Sequence, residues 1–294
     1  MQGVGISEVR PARDGVVRAI THDGAFRVVA ACTTETVRGA MRAQNVHGPT
    51  AKHFGELLTG AILVREAMAP QLRVQGILKG ASGRGSLVAD SYPDGSSRGL
   101  VNFGSRKEEL DVTSGALLKV MRTLPSGSLH QGVVEVPTGG GVSGALMAYL
   151  QDSEQVVSVI SVSALVDDAG DLVAAGGYLV QLLPEVERGP LMVMTERLQN
   201  GLELESVLRS DAGSAEGLVD EVLYGMPYSR VGEAPLRFEC RCSETRLLAS
   251  LATLPPSDIE EMLDDGEMLE IRCDYCGREY ALAPEALRSI VTTN

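Results

Sequence analysis

The chain has 294 residues, of which 44% are hydrophobic, and a formal net charge of −13. That size and apolar content support a large domain plus a smaller unit; no apolar run approaches the roughly 18 residues of a membrane span, and the N-terminus lacks a basic stretch followed by an apolar one, so a cytoplasmic protein without membrane contact is expected. Residues 185–294 carry 10 Lys and Arg against 22 Asp and Glu, whereas residues 1–184 carry 16 against 17, so the acidity sits in the C-terminal third and argues against nucleic-acid binding there.

In chain order, Val16–Thr21 and Ala25–Ala30 are rich in β-branched residues around His22-Asp23-Gly24 and predict a hairpin. Cys32 follows with no cysteine near it in sequence, which predicts a small buried residue. Phe54, Leu57, Leu58, Ala61, Ile62, Val64 and Ala67 recur at helical spacing between Thr50 and Met68, and Pro70 stops them. His47 and His53 flank that helix start without a nucleophile or carboxylate pair, which predicts surface or capping roles. Leu72–Leu78, Gly85–Asp90 and Ser97–Phe103 read as strands. Gly80–Ser86 looks superficially like a phosphate loop, but it lacks the lysine and enters a strand where a phosphate loop opens a helix. Leu117–Leu124 and Gly132–Val136 add strands. Gly139-Gly140-Gly141 connects to a short helix over Gly144–Gln151, and the strands Val156–Val162 and Leu172–Leu183 come next, the last interrupted by Gly176-Gly177. The result is an α+β domain of mostly antiparallel strands over 1–183.

Pro184 changes the texture. Short amphipathic stretches at Leu191–Gln199, Leu202–Leu208 and Ala215–Tyr224, broken by glycines, predict a helical linker over 184–235. Helices this short persist only through tertiary packing, so the linker is expected to be metastable.

The third expected unit, 236–294, holds four of the five cysteines, as Cys240-Arg241-Cys242 and Cys273-Asp274-Tyr275-Cys276. Ser243 is placed to cap a helix carrying Leu247, Leu248 and Leu251. Ser257 and Glu260 have capping-box spacing for a second helix ending at Gly266. Met268–Arg272 and Glu279–Ala281 then read as a hairpin that delivers Cys273 and Cys276, with Gly277 allowing amides to turn toward the sulfurs. Thiolates suit zinc, and two pairs 30 residues apart match a closed tetrahedral four-cysteine site. A unit so poor in large apolar groups would fold with its metal, since structural zinc contributes roughly 10–16 kcal/mol of apparent binding energy. The same sulfurs can also form two local disulfides, which would expel the ion. From the residues alone, three functions remain open: a redox-switched module, a thiol-disulfide oxidoreductase using Cys273 and Cys276, and a structural zinc-ribbon adaptor.

Phe238-x-Cys240-x-Cys242-Ser243, the gap, and Cys273-Asp274-Tyr275-Cys276-Gly277 resemble the C-terminal signature of the redox-regulated holdase chaperones, the 33-kDa heat-shock protein family. Gly55-Glu56-Leu57-Leu58, Arg98-Gly99, Gln131-Gly132-Val133-Val134 and Tyr149 with Ser153-Glu154-Gln155 resemble weaker N-terminal motifs of that family, in the same order. The resemblance implies a non-enzymatic, ATP-independent chaperone. Its reduced form holds one zinc ion on Cys240, Cys242, Cys273 and Cys276. Oxidative stress forms the disulfides Cys240–Cys242 and Cys273–Cys276, releases the zinc, and unfolds module and linker. The exposed surface then binds unfolding client proteins, in the family often as a homodimer.

Overall fold

Strands β1 (Gly15–Thr21) and β2 (Phe26–Cys32) pair antiparallel around the expected turn, where Gly24 takes φ +70° and the Asp23 carboxylate accepts from the Ala25 amide at 3.0 Å. The computed structural model describes residues 13–68, 70–103, 110–183, 188–264 and 266–291, so Pro184 lies outside the described residues. Two compact units divide after Phe238.

In the first unit, α1 (Thr34–Gln44) and α2 (Gly48–Met68) follow the hairpin. They lead into β3 (Val74–Lys79), β4 (Ser86–Ser91), β5 (Ser96–Asn102), β6 (Leu117–Thr123) and β7 (Leu129–Glu135). Gly80–Gly85 is thus the turn of a β3–β4 hairpin, with no helix behind it. Helix α3 (Gly141–Ala148) ends in one wide turn, Tyr149–Ser153, and precedes β8 (Ser158–Val166) and β9 (Leu172–Leu182).

The expected break at Gly176-Gly177 is absent: β9 runs unbroken between β2 and β8. The glycines serve close approach instead. A Cβ at Gly177 would lie 2.4 Å from the Ser161 carbonyl, and one at Gly176 would lie 2.7 Å from the Ala31 carbonyl and the Leu208 side chain.

Helices α4 (Arg188–Gly201), α5 (Leu204–Arg209) and α6 (Ala215–Val222) form where the short amphipathic stretches predict them. Tyr228–Pro235, where the sequence predicts only the end of a helical linker, is instead a strand, β10, antiparallel to β1. Its alternate residues are exposed, and Arg230, Gly232, Glu233 and Pro235 give it the polar texture of an edge strand, which hides the apolar alternation that identifies a buried one. Strand β11 (Arg237–Phe238) then pairs parallel with β5. The chain therefore crosses between two sheets, ordered β10-β1-β2-β9-β8 and β11-β5-β4-β3-β6-β7. The crossing runs against Gly95, where a Cβ would sit 2.1 Å from the Pro235 carbonyl.

Helix α2 fills the space between the sheets. From Phe54 to Ala67 it is buried on every side, and Phe54, Leu57, Leu58, Ile62 and Leu63 are fully buried. The opposite face of the five-stranded sheet carries a second core. There Val17, Ala19, Phe26, Val28, Ala30 and Val180 pack against Met194, Leu198, Leu204, Leu208, Leu218, Val219 and Val222 of α4–α6. The segment expected as a linker thus contributes a packed layer and an edge strand to the first unit. Cys32 lies in this second core, 3% exposed, and burial pushes its thiol pKa up, as its small-residue reading implies.

Charged residues pin the first core. Glu66, 1% exposed, accepts from Arg18 Nε at 2.9 Å and from Arg65. Arg65 also donates to Ser91 at 2.9 Å and to the Pro70 carbonyl at 3.0 Å. Arg27 donates to the Ala67 and Glu66 carbonyls, satisfying the end of α2. Elsewhere Glu154 accepts from Arg122 Nε at 2.8 Å and from the Tyr149 hydroxyl, locking the wide turn onto β6. His53 meets the buried Glu56 at 3.1 Å, and the exposed His47 meets Asp171 at 3.3 Å, a surface pairing. Removing one partner of a buried ion pair leaves the other uncompensated. Glu66→Ala should therefore cost about 3–5 kcal/mol of stability, read as a lower urea midpoint for the first unit.

Candidate metal centre

The second unit begins directly after β11, at Glu239. Cys240 and Cys242 lie at i and i+2 of a non-helical stretch, a spacing that puts both side chains on one side of an extended chain. Ser243, with extended backbone, accepts from the Arg246 amide at 3.3 Å and caps α7 (Glu244–Leu251), as expected. Pro255-Pro256 separates it from α8 (Pro256–Asp264). The expected capping box does not form: α8 starts one residue before Ser257, whose hydroxyl instead meets Asp258 at 3.2 Å. Proline suits the first helical position, where its missing N–H is not needed, and it moves the start upstream.

Strands β12 (Leu269–Arg272) and β13 (Glu279–Leu282) form the predicted hairpin, with Arg272 opposite Glu279. Its turn carries the second cysteine pair. The Cys273 amide donates to the Arg278 carbonyl and the Gly277 amide to the Cys273 carbonyl, both at 2.8 Å, and Gly277 takes φ +70°. Amides of Tyr275 and Cys276 point at the Cys273 sulfur, and that of Arg278 at the Cys276 sulfur.

A closing helix, α9 (Pro284–Val291), has no counterpart among the predicted elements, although Pro284-Glu285 is a sound helix start. Its eight residues offer too few turns for periodicity to stand out. Its Leu287 is fully buried with Ile259 and Leu282, and these three are the buried apolar core of the unit's described residues.

The sulfurs of Cys240, Cys242, Cys273 and Cys276 all lie within 4.8 Å of one another. Cys240 and Cys273 are 3.8 Å apart, and Cys242 and Cys276 are 3.4 Å apart. A tetrahedral zinc with four bonds of about 2.3 Å needs sulfurs about 3.8 Å apart, so the cluster has the size and the soft donor set for that ion. The thiols differ in acidity. Burial opposes ionisation of Cys242, but hydrogen bonds from Tyr280 and the neighbouring cysteines outweigh it and bring its pKa to about 7. Burial, reinforced by the neighbouring sulfurs, pushes Cys276 up to about 12. Cys273 sits in a hairpin turn and not in the first turn of a helix, where a thioredoxin-like nucleophile stands.

The family model described as Hsp33 protein matches residues 14–283. This chain belongs to the Hsp33 family. The 33 kDa chaperonin of Syntrophotalea carbinolica is 28% identical over 288 residues, covering 95% of this chain and 99% of that protein. A 33 kDa chaperonin of Thermus thermophilus is 29% identical, covering 94% and 86%. The crystal structure of the 33 kDa chaperonin from Thermotoga maritima matches with a TM-score of 0.77 at 22% identity, over 96% of this chain and 98% of that one, which shows the shared α+β Hsp33 fold. Among the described residues no helix is long and apolar enough to cross a membrane.

A cation on these sulfurs must displace the protons of thiols such as Cys276, so uptake releases protons and weakens as pH falls. Calorimetric titration of the reduced chain with zinc at about pH 6.5 and about pH 8, in buffers of different ionisation enthalpy, should show proton release and a lower apparent affinity at the lower pH.

Proposed function

We propose that the chain is a cytoplasmic, ATP-independent holdase whose four-cysteine centre is its redox switch. The observation that carries this reading is a cluster of four sulfurs in a unit with only three fully buried apolar side chains among its described residues. In the reduced state Cys240, Cys242, Cys273 and Cys276 would hold one zinc ion. Bound zinc supplies cross-linking and no chemistry on a substrate.

Two hydrogen peroxide molecules and four protons convert the zinc tetrathiolate into two disulfides, four water molecules and free Zn2+. Each peroxide takes two electrons from one cysteine pair. With pairing inside Cys240–Cys242 and inside Cys273–Cys276, the link between the two ends of the unit is lost, and the small core cannot hold it closed.

The helices α4–α6 would form the second part of the switch. Each has at most 14 residues and depends on the five-stranded sheet for burial. Undocking them uncovers the apolar face of Val17, Ala19, Phe26 and Val28, which suits extended apolar segments of unfolding proteins. The residues between α6 and Cys240 pass through β10 and β11, so unfolding of the C-terminal unit frays the chain that closes both sheets. Uncovered apolar surface also favours a homodimer of the oxidised form. A reducing cytoplasm keeps the thiols available.

The test is aggregation of a thermally unfolding client followed by light scattering without ATP, with released zinc measured by a chromogenic chelator. Peroxide at unfolding temperature should release about one zinc per chain and suppress aggregation, and reduction with zinc should reverse both. Equal suppression by reduced and oxidised chains overturns the switch. Leu218→Ala, which empties a fully buried position under α6, should weaken the helical layer by about 2–5 kcal/mol and lower the peroxide needed for half-maximal client protection.

A further inference from the structure

Cys242 has a side-chain donor outside the sulfur cluster. The Tyr280 hydroxyl donates to Cys242 Sγ at 3.1 Å across 38 residues of sequence. Tyr280 stands on β13 opposite Ile271, half-buried, on the same side of the strand as the buried Leu282 two residues on. Its position is therefore set by the hairpin pairing. The Arg278 guanidinium lies close enough to the same phenol to interact with it electrostatically. A guanidinium has only donors, so its charge favours a phenol whose lone pairs face Arg278 and whose proton faces the sulfur. A hydroxyl polarised by a neighbouring cation is a stronger donor, which groups Arg278, Tyr280 and Cys242 as a polarised set. Cys273 and Cys276, by contrast, receive backbone amides fixed by the turn.

We propose that Tyr280 is the positioning residue of the thiol cluster, shielding the Cys242 sulfur from oxidants and holding its lone pairs for the cation. The inference rests on the zinc-thiolate reading above. A hydrogen bond to a metal-bound thiolate withdraws electron density from sulfur and lowers its nucleophilicity, while fixing the direction of the remaining lone pairs. Attack on peroxide puts the sulfur's electron pair into a new S–O bond, breaks the O–O bond, and leaves hydroxide and a sulfenic acid. A neighbouring thiol then closes the disulfide and releases water. The Tyr280 proton slows the first of these steps at Cys242 and leaves the second unchanged. It sets how much oxidant the switch needs before the Cys240–Cys242 end lets go.

The test uses the full chain with cobalt(II) in place of zinc, since sulfur-to-cobalt charge-transfer bands report the electron density on sulfur and the d–d bands report tetrahedral ligation. Tyr280→Phe removes one hydroxyl and keeps the ring. Expected are one cobalt per chain with tetrahedral d–d bands in both proteins, a charge-transfer band shifted to lower energy in the variant, and about 10-fold weaker metal binding against a competing chelator. Zinc release by peroxide from the zinc-loaded variant should be about 5- to 10-fold faster, with sulfenic-acid trapping and peptide mapping locating the added reactivity at Cys242. Arg278→Gln keeps the phenol and removes only the cation behind it. It should move the band less, in the same direction, which tests the polarisation even where Tyr280→Phe binds no cobalt. Unshifted bands and unchanged zinc release in both variants overturn the inference while leaving the zinc reading standing. A wild-type chain that takes up no cobalt or zinc overturns both.

Discussion

Four sulfurs meeting within 4.8 Å of one another are the constraint on which the C-terminal unit depends. Its helices and hairpin bring only Ile259, Leu282 and Leu287 to full burial among the described residues, with half-buried Leu248, Leu251, Met262, Leu269 and Ile271 around them. Units of this size rarely bury enough to offset the conformational entropy of ordering their chain, and nature adds disulfides or a metal. Here the sulfurs join the segment before α7 to the tip of the β12–β13 hairpin, the two places a small hydrophobic core reaches least. A cross-link at that point closes the longest loop in the unit, so its loss raises the entropy of the open chain most.

The first unit obeys the opposite rule. Helix α2 is enclosed by two sheets, and the charged groups at its end are buried with their partners: Glu66 between Arg18 and Arg65, and its last carbonyls under Arg27. Breaking such a core means exposing large apolar surface and uncoupling ion pairs together, which makes it cooperative. The second core, on the far face of the five-stranded sheet, has no such network at its centre among the described residues. Its cover consists of short helices joined through glycine-containing turns, with Met192 and Val193 of α4 exposed. The two faces of the five-stranded sheet thus differ: one packs on the ion-paired helix α2, the other on short helices that depend on the sheet for burial.

Much of this is legible in the sequence, and for identifiable reasons. Strands β1 to β9 and helix α2 carry strong periodicity or dense β-branched runs, and buried elements of that kind have little freedom to be anything else. The cysteine pairs are legible because thiols of that spacing have few other uses, and the structure does bring the four sulfurs together. Strand β10 is hidden because an edge strand is polar by necessity, and its partner, β1, lies at the other end of the unit's sequence, beyond any local pattern. The Gly176-Gly177 pair misleads because glycine within a run marks equally a break or a close approach, and only the neighbouring strands decide between them. Tyr280 carries no signal at all: a tyrosine alternating in a short strand looks like packing, and its contact to Cys242 exists only after the hairpin folds back.

The placement of β10 and β11 connects these parts. A holdase switch of the kind proposed would lose the surface it needs if it melted its main core, so its opening would be confined to elements that can leave without breaking the sheets' interiors. Edge strands and surface helices meet that condition, because each contributes one hydrogen-bonded side or one apolar stripe, and removing them leaves the inner strands β1, β2 and β9 still paired with one another. Chain continuity ties that removable set to the sulfurs: β11 ends at Phe238, two residues before Cys240. In the proposed switch, a bond change at one cysteine pair would act first on the edge strands β10 and β11 and then on the helices just upstream, while the ion-paired core around α2 lies outside that path.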